Sequence, residues 1–229
     1  MPKDLRGFLE ELEAEEPDQV LRVKKEVDPH FEVTGVLAKL EQERKFPVVI
    51  FEKVKGAALP VVTNVHADPR RLFRAIGLKD ATLPEFIREY ATREDCPKPP
   101  IMVSEAPVQE VVLTGKDIDV TRLPILTYHE KDAGRYITAG FGIMRDPDSA
   151  VRNAGIYRLM IHSKDTFGIQ LVVGLIKRLL REAATSWQLV GHVHSNEPCL
   201  KTESNVRASF STISSTCAEL MLNGGASNT

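Results

Sequence analysis

Three prolines within five residues, Cys96-Pro97-Lys98-Pro99-Pro100, split the chain into stretches of different character. A proline fixes φ and offers no amide donor, so regular structure does not continue through such a cluster. Before it, residues 1–95 alternate helix and strand signals. Leu5, Phe8, Leu9 and Leu12 recur at helical spacing behind Asp4, a capping residue, and Pro17 closes the segment. Val20, Leu21 and Val23 predict a strand. Residues 29–44 predict a helix with Val33, Val36, Leu37 and Leu40 on one face. Val48-Val49-Ile50-Phe51 is a short apolar run that suits a buried strand. Residues 59–65 read as another strand, and Pro69 to Ile76 as a helix ended by Gly77. Leu83, Phe86, Ile87 and Tyr90 form a further amphipathic stripe. The expectation is an N-terminal α/β domain over residues 1–95 with its own core.

Beyond the prolines the pattern turns to short strands. Residues 96–115 are expected to be a linker and a first strand carrying Val108, Val111, Val112 and Leu113. Leu123-Pro124-Ile125-Leu126 reads as an extended crossing. Residues 136–144, 156–162 and 167–173 predict strands joined by tight turns, as in an antiparallel sheet or split barrel. Gly140 and Gly142 weaken the first of these unless something packs close to the backbone, either a flat ring or a neighbouring strand. After about residue 172 the character shifts again. Residues 175–184 predict a basic amphipathic helix through Lys177, Arg178 and Arg181. The rest is rich in Ser, Thr and Asn, with a weak helical stretch near Cys217 to Leu222 and no evident sheet partner, so residues 173–229 are expected to be an atypical, disordered tail.

Composition excludes several classes of function. A net charge of −2 over 229 residues gives no basic face for nucleic acid. Cys96, Cys199 and Cys217 are odd in number and scattered, as reduced thiols of a cytoplasmic protein are. No apolar run is long enough for a membrane span, and the acidic amphipathic start does not read as a signal peptide.

The residues with the most chemistry lie in Asn153-Ala154-Gly155-Ile156-Tyr157-Arg158. Arginine presents a planar fork of donors to phosphate or carboxylate, and an asparagine oxygen is a hard ligand for Mg²⁺ or Mn²⁺. A phosphate-bearing cofactor held through a cation would need such a set. A surface strand following an ordinary turn at Arg145-Asp146-Pro147-Asp148 would also produce it. In an extended strand Asn153, Gly155 and Tyr157 share one face and Ile156 and Arg158 the other, so metal and arginine roles combine only if the strand twists or bulges. His192-Val193-His194 with Cys199 has metal-ligand residue types, but at most three ligands and no second cluster.

At this run the chain resembles the UbiD family of prenylated-flavin-dependent decarboxylases. Further pieces carry the resemblance: Asp4-Leu5-Arg6 with Phe8-Leu9, Glu26-Val27-Asp28, and Phe51-Glu52-Lys53-Val54 before Gly56. Pro60-Val61-Val62-Thr63-Asn64, Leu123-Pro124 and Tyr136-Ile137-Thr138-Ala139-Gly140 add to it. Together they cover about residues 1–171. The resemblance implies an α/β (α+β) fold, with the N-terminal α/β domain followed by an incomplete flavin-reductase-like split β-barrel over residues 116–172. It implies reversible, non-oxidative decarboxylation of an aromatic or α,β-unsaturated carboxylic acid through prenylated FMN, with Mn²⁺ or a similar cation and K⁺. It implies Asn153 as a metal ligand, Arg158 as a catalytic residue, and Thr138, Ile156, Tyr157, Arg158 and Gln170 as cofactor contacts. A flavin prenyltransferase as cofactor supplier and a homo-oligomer at full length are implied as well.

The family's later histidine, acidic metal ligand and catalytic acid are not recognisable after about Val172. A chain lacking them is expected to be inactive, and a reading-frame shift near Leu171 is one account of the altered tail. Two other functions stand beside the decarboxylase: a non-catalytic remnant or partner-binding fragment, and a plain FMN-binding module with reductase chemistry.

Overall fold

The computed structural model describes residues 4–96, 98, 111–145, 152–169, 189–192, 208–209 and 212–214. Helix α1 (Leu5–Glu15) starts where Asp4 accepts a hydrogen bond from the Gly7 amide at 2.8 Å. It buries Leu5, Phe8, Leu9 and Leu12, the four residues of the predicted stripe. Strand β1 (Val20–Val23) leads into α2 (Glu32–Gln42), shorter at both ends than the periodicity predicts. Strands β2 (Val48–Phe51) and β3 (Val61–Thr63) complete a sheet ordered β1-β2-β3, parallel in the first pair and antiparallel in the second.

Every residue of β2 is buried, because a helix covers each face of the sheet. Val48 and Ile50 join Leu5, Phe8, Leu9 and Leu12 of α1. Val49 and Phe51 pack on the other side with Val33, Val27, Val54 and Val61. Alternation along one four-residue strand thus serves two cores.

Helices α3 (Pro69–Ala75) and α4 (Leu83–Asp95) follow. Asp68 caps α3, and Gly77 closes it at φ 87°. Glu85 reaches back to accept from the Thr82 amide and hydroxyl, each at 2.7 Å, at the start of α4. The apolar stripe of α4 does not join either core: Leu83, Ile87 and Tyr90 are exposed, and Phe86 stacks on Phe73 with ring centroids 4.7 Å apart.

The second half is built of strands: β4 (Val112–Thr114), β5 (Tyr136–Arg145), β6 (Arg152–Ile161), β7 (Thr166–Ile169), β8 (Leu189–His192), β9 (Ala208–Ser209) and β10 (Thr212–Ser214). Five form an antiparallel sheet ordered β8-β5-β6-β7-β9, and β10 pairs with β4. The segment 173–229, expected as a tail without sheet partners, therefore contributes three short strands. Its predicted helices at 175–184 and 217–222 lie outside the described residues. Asn153 belongs to β6, opposite Met144.

The crossing at Leu123–Thr127 joins the two halves. Thr127 bridges His30, and its amide donates to Pro29 O at 3.1 Å. Leu126 is buried in the second N-terminal cluster while its carbonyl accepts from the Tyr136 amide at the start of β5. The sheet that carries the candidate site thereby begins on the N-terminal core. Among the described residues no helix is long and apolar enough to cross a membrane.

Candidate functional site

The pairing of β5 with β6 is irregular at one place. Tyr136 opposes Met160 and Ile137 opposes Leu159, but the next register pair is Phe141 with Ile156. Residues 138–140 of β5 therefore face only residues 157–158 of β6, a bulge of one extra residue. Gly140, singled out as a weak point of this strand, lies within it, and β8 runs alongside with His192 opposite Gly140. For the described backbone, the neighbour close to these glycines is a strand.

Alternation sorts the side chains around the bulge. Ile137, Tyr157 and Leu159 are buried on one face. On the other, Ile156 is 58% exposed, and Thr138, Arg158 and Met160 are half-buried. Tyr157 lies against its own strand: a Cβ at Gly155 would stand 2.8 Å from the Tyr157 hydroxyl and 3.0 Å from Cζ. The aromatic side chain is thus a core group, and a cofactor role for Tyr157 would be met through its backbone.

Arg158 stands over the ring of Tyr136, with its guanidinium carbon 5.1 Å from the centroid. Its Nε is buried without a hydrogen-bond partner. Among the described residues no carboxylate pairs with it. A buried guanidinium N–H left unused is costly, and it marks a place where an acceptor would be bound strongly.

Thr138 sits in the bulge, and its Oγ1 lies 2.5 Å from the Tyr128 hydroxyl. Burial pushes the Tyr128 phenol above its ordinary pKa, while the Thr138 hydrogen bond and the Arg158 charge oppose that rise. Thr138, Arg158 and Ile156 are thus brought to one region. Asn153 lies five residues along β6 from Arg158, about 16 Å at strand rise, and its side chain lies outside the described residues. Gln170 and the pair His194 and Cys199 also lie outside them, as does the side chain of His192. No group of three His, Cys, Asp or Glu side chains able to hold a metal occurs among the described residues.

Tyr128 and the stacking role of Tyr136 were not legible as site features. Tyr128 follows an extended crossing with no periodic signal, and its contact with Thr138 exists only once the crossing and β5 are brought together. Tyr136 lay inside a recognised motif without a role of its own.

Comparison with known proteins finds matches along most of the chain. Residues 11–90 match the 3-octaprenyl-4-hydroxybenzoate carboxy-lyase N-terminal domain, and residues 101–189 match the Rift-related domain of the same enzymes. The family match therefore continues through residues 173–189, which the motifs alone left outside it. An uncharacterized protein of Synechocystis is 32% identical over 206 residues, covering 80% of this chain and 40% of that protein. Among solved structures, an evolved dimeric form of the UbiD-class enzyme HmfF from Pelotomaculum thermopropionicum, in complex with prFMN, superposes with a TM-score of 0.72 at 34% identity. That match covers 83% of this chain and 44% of HmfF. The vanillic acid decarboxylase of Sedimentibacter hydroxybenzoicus in closed form gives a TM-score of 0.72 at 34% identity, covering 80% of this chain and 40% of the enzyme chain. The chain spans less than half the length of each.

Proposed function

This chain belongs to the UbiD family, and from that premise we propose that its open β5–β6 face is a prenylated-FMN site for non-oxidative decarboxylation of an aromatic or α,β-unsaturated acid. The observation that carries the reading is Arg158: a half-buried guanidinium with an unused Nε, beside the exposed Ile156 and the hydroxyl of Thr138. These residues fit a flat, anionic group. Ile156 offers apolar surface to a ring, Thr138 a hydroxyl, and Arg158 a donor fork. Gln170 and the backbone of Tyr157 complete the proposed contacts. The surrounding strands correspond, on this reading, to part of a split barrel.

When bound, prenylated FMN supplies the electron sink that loss of CO₂ from an sp² carbon requires. The chain's own residues bind and orient. Arg158 holds the substrate carboxylate through its donor fork, while the Tyr136 ring steadies the guanidinium from beneath. The net change, R–COO⁻ plus H⁺ to R–H plus CO₂, needs an acid to return a proton to carbon. Among the described residues no carboxylic acid pairs with Arg158 to serve. Asn153 alone is one neutral ligand, which holds a divalent ion poorly, and no step is assigned to Mn²⁺ or K⁺.

The 229-residue chain by itself is accordingly proposed to bind flavin without turnover, in the cytoplasm, with a flavin prenyltransferase as cofactor source. The paired acid and any homo-oligomeric surface would belong to a longer form. A cofactor-loaded preparation offered cinnamate- and hydroxybenzoate-type acids should release no CO₂. Release that disappears in Arg158→Ala would contradict the proposed inactivity while supporting the site. Reduction of added FMN by NAD(P)H would favour a reductase instead.

A further inference from the structure

The hydroxyl of Thr138 is not alone in the bulge, and the residue that meets it comes from a different part of the chain. Tyr128 follows the crossing that docks on the N-terminal core, and it is held there at three points. Its carbonyl accepts from Thr34 Oγ1 of α2 at 3.1 Å. Its side chain packs against the cluster of Val27, Val33, Val49, Phe51, Val54, Val61 and Leu126. Its neighbour Thr127 is fixed to Pro29 and Phe31 by backbone hydrogen bonds of 3.1 and 3.3 Å. From that rigid base the phenol reaches Thr138 Oγ1 at 2.5 Å.

We infer that Tyr128 is a positioning residue of the β5–β6 site: it donates its hydroxyl proton to Thr138 Oγ1 and thereby aims the Thr138 O–H at a hydrogen-bond acceptor on a bound flavin. The direction follows from acidity. A phenol is a far stronger acid than an aliphatic alcohol, so in a short bond between the two the phenol is the donor. A threonine hydroxyl has one proton, and once its oxygen is occupied as acceptor that proton is free for a ligand. A bulged strand needs such an anchor, because the pairing with β6 gives residues 138–140 no regular register. The inference rests on the reading of this face as a flavin site. It adds that the N-terminal unit sets the geometry of that site through one side chain.

The test is fluorescence titration of the whole chain with FMN. Wild type, Tyr128→Phe, Thr138→Val, Thr138→Ser and the double variant Tyr128→Phe/Thr138→Val are compared, each with its melting temperature. Tyr128→Phe should weaken FMN binding about tenfold, the scale of one misdirected hydrogen bond. Thr138→Ser should bind nearly as wild type, Thr138→Val should be weak, and the double variant should be no weaker than Thr138→Val, since Tyr128 acts only through that hydroxyl. A merely structural Tyr128 would lower the melting temperature of Tyr128→Phe and leave its affinity unchanged. Equal affinity of wild type and Tyr128→Phe overturns the inference and leaves the flavin reading intact. Additive losses in the double variant also overturn it. A wild-type chain that binds no FMN removes the flavin reading and this inference with it.

Discussion

Gly155 has the one side chain that the packing of Tyr157 permits. A methyl group there would lie 2.8 Å from the Tyr157 hydroxyl and 3.2 Å from its Cε2, so the ring must leave its place. Overpacking of this kind costs about 1–3 kcal/mol. Gly155→Ala should therefore unfold at lower urea concentration with an unchanged m-value; a midpoint equal to wild type would mean that the ring does not rest on Gly155. In the sequence, strand alternation put Gly155 and Tyr157 on one face, but nothing there showed the ring lying back against the glycine. Thr138 and Arg158 were legible for a different reason: they matched a family pattern, and their position on one face is what strand alternation and a bulge produce. The bulge had no local signature. It is a property of two strands in register, visible only as the step from Ile137–Leu159 to Phe141–Ile156.

Among the elements, α1 and β2 were the most legible, α1 from its helical period and β2 from its unbroken apolar run. Leu12, placed by spacing, is 1% exposed, and Phe51, placed by the run, is 0% exposed. Phe51→Ala should cost about 3–5 kcal/mol in a urea titration, as large-to-small changes in a closed core do. The stripe of α4 shows where the argument from period stops. Leu83 and Ile87 are each 57% exposed, although their spacing equals that of a buried face. Periodicity marks a face as apolar and does not supply the surface that covers it. Leu83→Glu should change stability by no more than about 0.5 kcal/mol; a larger loss would mean that this face is packed.

The α1–α3 contact was illegible for a further reason. Arg74, 3% exposed, reaches Glu15 at 2.5 Å, Glu16 at 2.9 Å and Glu11 at 3.3 Å, while Lys79 also pairs with Glu15. An acidic run on a helix reads as a solvated face until a buried arginine from another helix meets it. Because the carboxylates keep a third or more of their exposure, Arg74→Met should cost about 1–2 kcal/mol, below the loss for stranding a fully buried charge.

At the scale of the whole molecule, surface charge and the crossing segment set how the halves respond together. Lys79 holds the Glu15 carboxyl below its ordinary value of 4.5, Arg22 does the same for Glu13, and Lys45 for Glu43. Lys55 and the His30 amide lower Asp28. Each folded-state pKa lies below its unfolded value, so the stabilisation is present above the unfolded carboxylate range and is lost as pH falls through the folded values. The urea midpoint should stay level from neutral pH to about 5 and fall below about 4, less steeply in high salt because these groups are exposed. A midpoint that rises on acidification would contradict the assigned pairs.

The mixed architecture was legible from the change in period across the proline cluster. The dependence of the second half on the first was not, since it rests on Leu126 entering the N-terminal core and Tyr128 reaching Thr138. The central claim, that this face holds the cofactor, is tested most directly by isolating the chain after co-expression with a flavin prenyltransferase and measuring the prenylated flavin retained per chain by absorbance and mass spectrometry. The account predicts a coloured wild-type protein that retains the cofactor and an Arg158→Ala variant, folded to the same melting temperature, that has lost most of it. A colourless wild-type protein, or equal retention by both, would contradict it.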